Sequence, residues 1–380
     1  MVVSNASISS SSESFDWMAE LGVRPVINAA ATLTKLGGSV MPQPVIDAMV
    51  QGSRTFIDYV ELQRAVSARI ATLTQNDAAY VSSGAAAGIT LTMAAILTEG
   101  LPARIQGFPQ LIGFPKIEII IHRSQRNGYD YAARMTGATF VEIDDSVVSL
   151  EAAFSERTAA VLWFAGGHLG PDAVPIETVV EIAHARGVPV VVDAAAQVPF
   201  IRNLWHFTRD VGADIAIFSG GKGLRGPQSS GLVLGNPGII ANIYPNASPH
   251  SAIGRPMKVG KEELVGILAA VEWTLAQDED AIIARYEQIV QYWLSGLAEI
   301  PGITAERGFP NEAGQPFPRV LVTLGSDAKL DGDALVQALW DGESRIAVSE
   351  VASDVIGINP QTLAEGEEVI VVEALRDLLS

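Results

Sequence analysis

The sequence of 380 residues contains no cysteine and only five histidines. Without cysteine, the chain has no disulfide, no thiolate ligand for a metal and no thiol nucleophile. The histidines include no pair at the spacing typical of a metal site. We therefore expect no bound metal.

Positive charge is also scarce. The chain has 25 Lys and Arg residues but 43 Asp and Glu residues, which gives a net charge of -18. This balance disfavours nucleic acid or an anionic membrane as the main partner, but it permits a small anionic ligand held by local donors. No apolar run reaches the length of a membrane span, and the serine-rich start lacks the pattern of a signal peptide. We expect a cytoplasmic protein with a small-molecule ligand.

Apolar residues are plentiful, at 48% of the chain, and the length suits two domains. We predict a disordered tail over residues 1–20, a large domain over 21–260, connecting helices over 261–295 and a small C-terminal α+β domain over 296–380. The first part of the large domain, from residue 21 onward, is expected to pack on the small domain.

Apolar strands alternate with amphipathic helices from Ala78 to Gly235, which predicts an α/β fold with a mostly parallel sheet. Ligands of such sheets bind at the carboxyl ends of the strands. The polar residues that follow these strand ends are Ser83, His122, His168, Asp193 and Ser219. Residues 101–116 show no periodicity and are interpreted as a surface excursion without an assigned role.

Lys222 lies just beyond one of these strand ends, in the run Ser219-Gly220-Gly221-Lys222-Gly223. The glycines allow the backbone to crowd a bound group. A lysine partly shielded from water loses its proton more easily and becomes a nucleophilic amine, as a Schiff base with an aldehyde requires. A solvated lysine in a glycine-rich hairpin explains this stretch alone equally well.

Asp193 ends the most continuous apolar strand and precedes three alanines. A carboxylate in apolar surroundings needs a cationic partner, and a protonated pyridine nitrogen is one, with Ala195 leaving room for a flat ring. The turn Ser83-Gly84-Ala85 opens a helix and forms an anion cup, to which Ser219 adds a donor, although Ser83 is equally typical of an ordinary N-cap. Together with Lys222, this set matches pyridoxal 5'-phosphate (PLP).

Several motifs resemble those of fold-type-I PLP enzymes, and within them the group related to selenocysteine synthase (L-seryl-tRNA selenium transferase) and D-glucosaminate-6-phosphate ammonia-lyase. The resemblance runs from about Leu21 to the C-terminus. It is carried by the segments 26–29 with 37–38, 82–87, 122–123 with 127–130, 192–199, 219–228 and 254–263, among which the lysine loop and Gly254-Arg255-Pro256-Met257-Lys258 are the most diagnostic.

The resemblance implies a role for each cofactor residue. It makes Lys222 the internal aldimine, pairs Asp193 with the pyridinium, and places the phosphate on Ser83, Gly84, Ala85 and Ser219. It stacks His122 on one face of the cofactor and brings Gln197 to the ring hydroxyl, at a spacing from the aspartate that is one residue longer than in related enzymes. His122 as a strand cap and His168 as a structural loop histidine are the alternatives.

Candidate substrate residues are Thr32, Arg255 and Arg345. Arg255, with Lys258, is expected to hold a phosphate or carboxylate, also across a subunit interface, or else to fix the start of a helix. Arg345 is expected to meet a substrate carboxylate, with a surface ion pair as the alternative. Tyr59 and Glu61 are expected to reach a neighbouring active site in a homodimer or higher homo-oligomer.

The resemblance implies α,β-elimination from a hydroxy-amino acid or amino-sugar acid, giving a 2-keto acid and ammonia. Racemisation, aldol cleavage and transamination share the first steps and stay open. Selenium transfer is weaker because nothing basic is present to hold tRNA. A PLP-binding regulatory protein is the non-enzyme alternative. A nucleotide-binding domain would need Gly-Lys-Ser/Thr, which Gly221-Lys222-Gly223 does not supply.

Overall fold

The computed structural model describes residues 16–166 and 170–380. Most of the predicted tail and His168 lie outside these residues. Within the end of that predicted tail, Asp16 accepts hydrogen bonds from the backbone of Met18 and Ala19 and so caps a short helix, α1, Trp17–Glu20.

The described residues form helices and strands with the following bounds. The further helices are α2 Gln43–Ser53, α3 Tyr59–Leu73, α4 Ala85–Thr98, α5 Pro102–Gly107, α6 Tyr131–Arg134, α7 Val147–Ala153, α8 Ile176–His184, α9 Asn203–Trp205, α10 Pro237–Asn246, α11 Lys261–Leu275, α12 Glu279–Leu297, α13 Gly332–Asp341 and α14 Glu367–Leu379. The strands are β1 Ile27–Asn28, β2 Ala78–Ser82, β3 Glu118–His122, β4 Thr139–Ile143, β5 Thr158–Phe164, β6 Val190–Asp193, β7 Ile215–Ser219, β8 Gly231–Gly235, β9 Ile303–Gly308, β10 Arg319–Leu324, β11 Ile346–Ala347, β12 Ser349–Ala352 and β13 Val355–Ile358.

Within residues 16–166 and 170–380, the larger sheet has seven strands in the order β2-β8-β7-β6-β5-β3-β4. Only β8 runs antiparallel to its neighbours, so the prediction of a mostly parallel sheet is confirmed. The central strands are buried along most of their length, as expected of parallel strands covered on both faces. Because the strands run the same way, the carboxyl ends of β5, β6 and β7 meet at one edge.

Helices cover both faces of this sheet, and the side chains of β7 show why. Ala216 and Phe218 point into a core shared with α3, α8 and α11, whereas Ile215 and Ile217 point into a core shared with α4 and α10. This two-residue alternation sends successive side chains to opposite faces. The helices leave the carboxyl edge of the strands open to a ligand.

A second, antiparallel sheet in the order β12-β13-β10-β9 packs against α12, α13 and α14 around the buried Trp293. The segment from β1 to Ala29 lies against this part, because β1 pairs in parallel with β11 and Ala29 belongs to the same core. The boundaries proposed for the domains stay a prediction.

Some elements were not predicted from the sequence. β9 carries Thr304, Glu306 and Arg307 with weak alternation, and α5 begins at Pro102 inside the predicted excursion. Within the described ranges, no helix has the length and apolar character that crossing a membrane requires.

Candidate functional site

The loop that carries Lys222 joins β7 to β8 and is held by its own backbone. Arg225 N donates to Lys222 O at 2.9 Å, and Gly226 N donates to Gly220 O at 2.8 Å. At Gly223, a Cβ atom would lie 1.8 Å from Val198 O, so only glycine permits this approach to the segment after β6. The lysine is therefore presented from a fixed turn, unlike a solvated hairpin lysine.

Burial dominates the electrostatics of Lys222 and Asp193. Burial lowers the pKa of Lys222 below its ordinary value, and the negative charge of Asp193 opposes that shift only in part. Burial also raises the pKa of Asp193, against the Ala195 N–H donor and the charge of Lys222. The pair thus combines an amine that loses its proton readily with a carboxylate that lacks a full counter-charge.

The two residues face a cavity of about 530 Å³. Its floor is the carboxyl edge of the large sheet, and its other walls come from distant parts of the chain. The residues that line it include Ala31, Thr32, Leu33, Thr34, Gly38, Gly84, Ala85, Ala86, Tyr129, Phe164, Ala165, Asp193, Ala195, Ser219, Lys222, Gln228, Glu312, Ala313, Gln315 and Gln361. The large sheet, loops next to the second sheet and the N-terminal segment therefore contribute to one partly open site.

The start of α4 provides an anion site in this cavity. Gly84 is its N-cap, has φ of 95° and makes no side-chain cap hydrogen bond, so the first N–H groups of the helix are left for an anion. Gly231 on β8 touches this turn, since a Cβ there would lie 2.6 Å from Gly84 C. Ser219 lines the same cavity, whereas Ser83 does not, because its Oγ donates to Met257 O at 3.0 Å.

His122 lies elsewhere than its expected stacking position. Its ring is fully buried at the end of β3, and its Nε2 accepts from Val174 N at 3.3 Å. Among the described residues that line the cavity, the aromatic side chain near the lysine is Tyr129, whose ring centroid lies 5.8 Å from Lys222 Nζ. In the sequence, Tyr129 belongs to the motif Asn127-Gly128-Tyr129-Asp130, but its spacing from other residues did not identify it as a cofactor contact.

Gln197 bridges the two parts of the chain and does not line the cavity. Its Nε2 donates to Ala165 O at 3.2 Å and to Ala313 O at 3.0 Å. Gln315 makes the reciprocal connection, because its Nε2 donates to Val198 O at 2.8 Å. These amides hold the 312–315 loop over the end of β6, a contact that the sequence did not reveal.

The candidate substrate residues separate in the structure. Thr32 lines the cavity. Arg255 is exposed outside it, and so is Lys258. The guanidinium of Arg345 lies 4.8 Å from the Trp340 ring centroid, and its Nε donates to Trp340 O. Arg345 therefore contacts α13 and does not line the cavity. Tyr59 and Glu61, at the start of α3, do not line the cavity either.

The residues that are present fit PLP. Among the described residues, the buried carboxylate of Asp193 accepts a hydrogen bond from Ala195 N alone, so it calls for a cation, which a pyridinium would supply. The amine of Lys222 and the uncapped start of α4 lie in the same cavity, as an aldehyde and a phosphate on one ring require. Within the described stretches, no group of three or more His, Asp or Glu side chains could hold a metal ion.

Comparison with known proteins agrees with this assignment. The family model for aminotransferase class-V matches residues 130–256. D-glucosaminate-6-phosphate ammonia lyase of Salmonella typhimurium is 30% identical over 371 residues, covering 94% of this chain and 96% of the relative. The chain belongs to the fold-type-I PLP enzyme family that includes this lyase.

Two further similarities refine the picture. A solved structure of D-glucosaminate-6-phosphate ammonia-lyase superposes with a TM-score of 0.83 at 28% identity, covering 96% of this chain and 98% of the other. A 5'-C-glycyluridine monooxygenase-decarboxylase from Streptomyces is 32% identical over 376 residues, 94% of this chain and 91% of the relative. The predictions of a fold-type-I enzyme, of PLP as cofactor and of a carbon–nitrogen lyase relationship are confirmed.

Proposed function

We propose that this PLP enzyme is an ammonia-lyase for an amino-sugar acid of the D-glucosaminate-6-phosphate type. The observation that carries the proposal is the single cavity that holds the Lys222 amine, the buried Asp193 carboxylate and the open start of α4. The relationship to the Salmonella lyase along nearly the whole chain supports the same reaction.

Each residue has a defined task in this proposal. PLP, when bound, supplies an electron sink for the charge that develops at Cα of the amino acid. Asp193 holds the ring nitrogen protonated, and the N–H groups at the start of α4, with Ser219, hold the phosphate. Tyr129 and Ala195 border the space for the flat ring, and the buried Gln197 fixes the wall behind it.

Lys222 moves the protons of the elimination. Its neutral Nζ, favoured by burial, takes the proton from Cα and delivers a proton to the departing β-hydroxyl, which leaves as water. The released enamine takes up water and gives the 2-keto acid and ammonia, so that the net change is loss of ammonia. His122, away from the cavity lining, is proposed only to support the end of β3 through its contact with Val174.

The decisive test is ammonia and keto-acid release from D-glucosaminate-6-phosphate by the PLP-loaded protein. Wild type should turn over, Lys222→Ala should lose turnover and the borohydride-sensitive visible absorption, and Lys329→Ala should behave as wild type. Lys329 is a suitable control because it is exposed in the second sheet region. A wild type that binds PLP but releases no ammonia from any amino-sugar acid contradicts the proposal.

A second candidate reaction follows from the Streptomyces relative, whose identity to this chain is 32%. The same PLP-loaded protein should then be tested with 5'-C-glycyluridine for oxygen consumption and carbon dioxide release. Oxygen-dependent decarboxylation without ammonia release from amino-sugar acids would replace the lyase proposal by this one.

We also propose that the enzyme is a homodimer. Ile46, Val50, Phe56 and Ile57 form a run of exposed apolar side chains on α2 and the segment after it, which a second copy of the chain would cover. Arg255, Lys258 and Glu61, exposed and outside the chain's own cavity, are proposed to face the active site of the partner.

A further inference from the structure

A second cavity, of about 210 Å³, lies beside the first and shares Lys222, Thr32 and Gln361 with it. Its far wall is formed by α11 and α12 and includes Trp273 and Tyr286. A substrate whose amino-bearing carbon lies at Lys222 can extend from the first cavity into the second. The residues of this second cavity therefore determine which chemical group the far end of the substrate can carry.

Two arginines line this second cavity without an acidic partner. In the described part of the chain, neither Arg225 nor Arg285 forms an ion pair, although Arg126, Arg134 and Arg307 each have at least one. Burial, with a smaller contribution from the like charge of Arg285, lowers the pKa of Arg225. Two neighbouring cations without counter-charge repel each other, so an anion between them is stabilising.

Arg225 is held in position by groups that do not neutralise it. Its Nε donates to Val40 O at 2.9 Å, and its guanidinium carbon lies 5.4 Å from the Trp273 ring centroid. Its backbone has φ of 53°, a conformation that this turn imposes on a residue other than glycine. Among the described residues, the acid that lines this cavity is Glu279, which accepts from Ile201 N through Oε1 at 2.7 Å and forms no ion pair with either arginine. The guanidinium thus stays available to a ligand.

Gln361 supplies an independent sign of a ligand at the junction of the two cavities. Its Oε1 is buried and has no hydrogen-bond donor in the described structure. An unsatisfied buried acceptor is costly, and a hydroxyl on the carbon chain of a substrate would satisfy it. Lys222 and Gln361 thus lie where the two cavities meet, whereas the two arginines line only the second cavity.

We propose that Arg225 and Arg285 form the subsite for a phosphate group at the far end of a polyhydroxylated amino acid. Two guanidinium groups match the charge and the several acceptor oxygens of a phosphate monoester. This inference rests on the proposed lyase function for its substrate, but the subsite itself depends only on the cavity. The subsite selects phosphorylated amino-sugar acids over their unphosphorylated forms.

The test compares wild type, Arg285→Gln and the control Arg69→Gln, all fully loaded with PLP so that the cofactor phosphate site is filled. Arg69 is exposed on α3 and paired with Glu272, away from both cavities. We measure binding of inorganic phosphate by calorimetry, and kcat and KM for D-glucosaminate-6-phosphate and D-glucosaminate by ammonia release. Arg285→Gln leaves the strained Arg225 turn intact, so that its folding is not at issue.

We expect Arg285→Gln to weaken phosphate binding roughly 10- to 100-fold, as loss of a charge-assisted contact does. The KM for the phosphorylated compound should rise by a similar factor, with kcat and the unphosphorylated compound little changed, while Arg69→Gln matches wild type. Equal losses for both compounds would assign the arginines to the α-carboxylate and overturn the phosphate subsite. Unchanged phosphate binding overturns it as well. Loss of phosphate binding in a protein that releases ammonia from neither compound would sustain the subsite and reject the lyase reaction.

Discussion

Lys222 and Asp193 influence each other's protonation, and the direction can be tested. Burial places the pKa of Lys222 below its ordinary 10.5, and Asp193 raises it partway back. Replacing Asp193 by Asn removes the raising effect, so the pKa of Lys222 should fall further in the cofactor-free protein. Competitive acetylation of Lys222 as a function of pH, followed by mass spectrometry, measures this titration. A shift of the Asp193→Asn titration to higher pH would contradict the account.

Tyr129 offers a second residue-level prediction. Its ring borders the cavity next to Lys222 Nζ, so Tyr129→Ala should weaken PLP binding about 2- to 10-fold, the usual worth of one aromatic contact. Tyr131→Ala is the matched control, because Tyr131 is equally exposed and contacts Arg134 instead. Fluorescence titration of the cofactor-free proteins with PLP measures both affinities. Equal affinities of the two variants would remove Tyr129 from the site.

Single residues differed in how far the sequence revealed them. Lys222 and Asp193 stood out because glycines and an apolar strand are visible in sequence, and both face the cavity. Arg225 and Arg285 could not be paired in advance, since 60 positions of chain separate them and only the packing of α12 near the lysine loop brings them together. His122 was expected to stack on the cofactor because of the family resemblance, but it ends β3, which is separated from β7 by β5 and β6 in the sheet.

At the scale of elements, the contact between β8 and the start of α4 shapes the phosphate site. In Gly231→Ala, the new Cβ would press on Gly84 and Ala85, which must then shift. We expect PLP affinity to fall about 10-fold or more, and the affinity for pyridoxal, which lacks the phosphate, to fall less. Gly107→Ala is the control, since its Cβ would meet nothing within 4 Å. Equal losses for PLP and pyridoxal would point to general disruption.

The elements themselves were predicted best where the pattern is strong. Buried strands such as β5 and β7 consist of uninterrupted apolar residues, and α11 and α12 carry regular apolar stripes. β9 and β12 were missed because their solvent-facing residues leave a weak alternation. The 312–315 loop could not be foreseen as part of the site, because its placement depends on the amide contacts of Gln197 and Gln315.

For the whole molecule, the proposed homodimer gives a prediction on assembly. Phe56 is fully exposed, so Phe56→Asp should convert a dimer to monomers in sedimentation experiments, because a charge would be buried in the interface. Ile112→Asp, at an equally prominent exposed position in the 101–116 stretch, should leave the dimer intact. A wild type that sediments as a monomer at micromolar concentration would reject the dimer.

The pairing of β1 with β11 has a consequence for synthesis of the protein. Ile27 and Asn28 precede the cavity-lining residues Ala31–Thr34, yet their partners Ile346 and Ala347 are made more than 300 residues later. When Lys222 and Asp193 have left the exit tunnel of the ribosome, β11 has not yet been made. The cavity wall that follows β1 is therefore still without its support. The nascent chain should therefore acquire its cofactor only after Ile346 and Ala347 have left the ribosome, with the lysine amine exposed to other aldehydes until then.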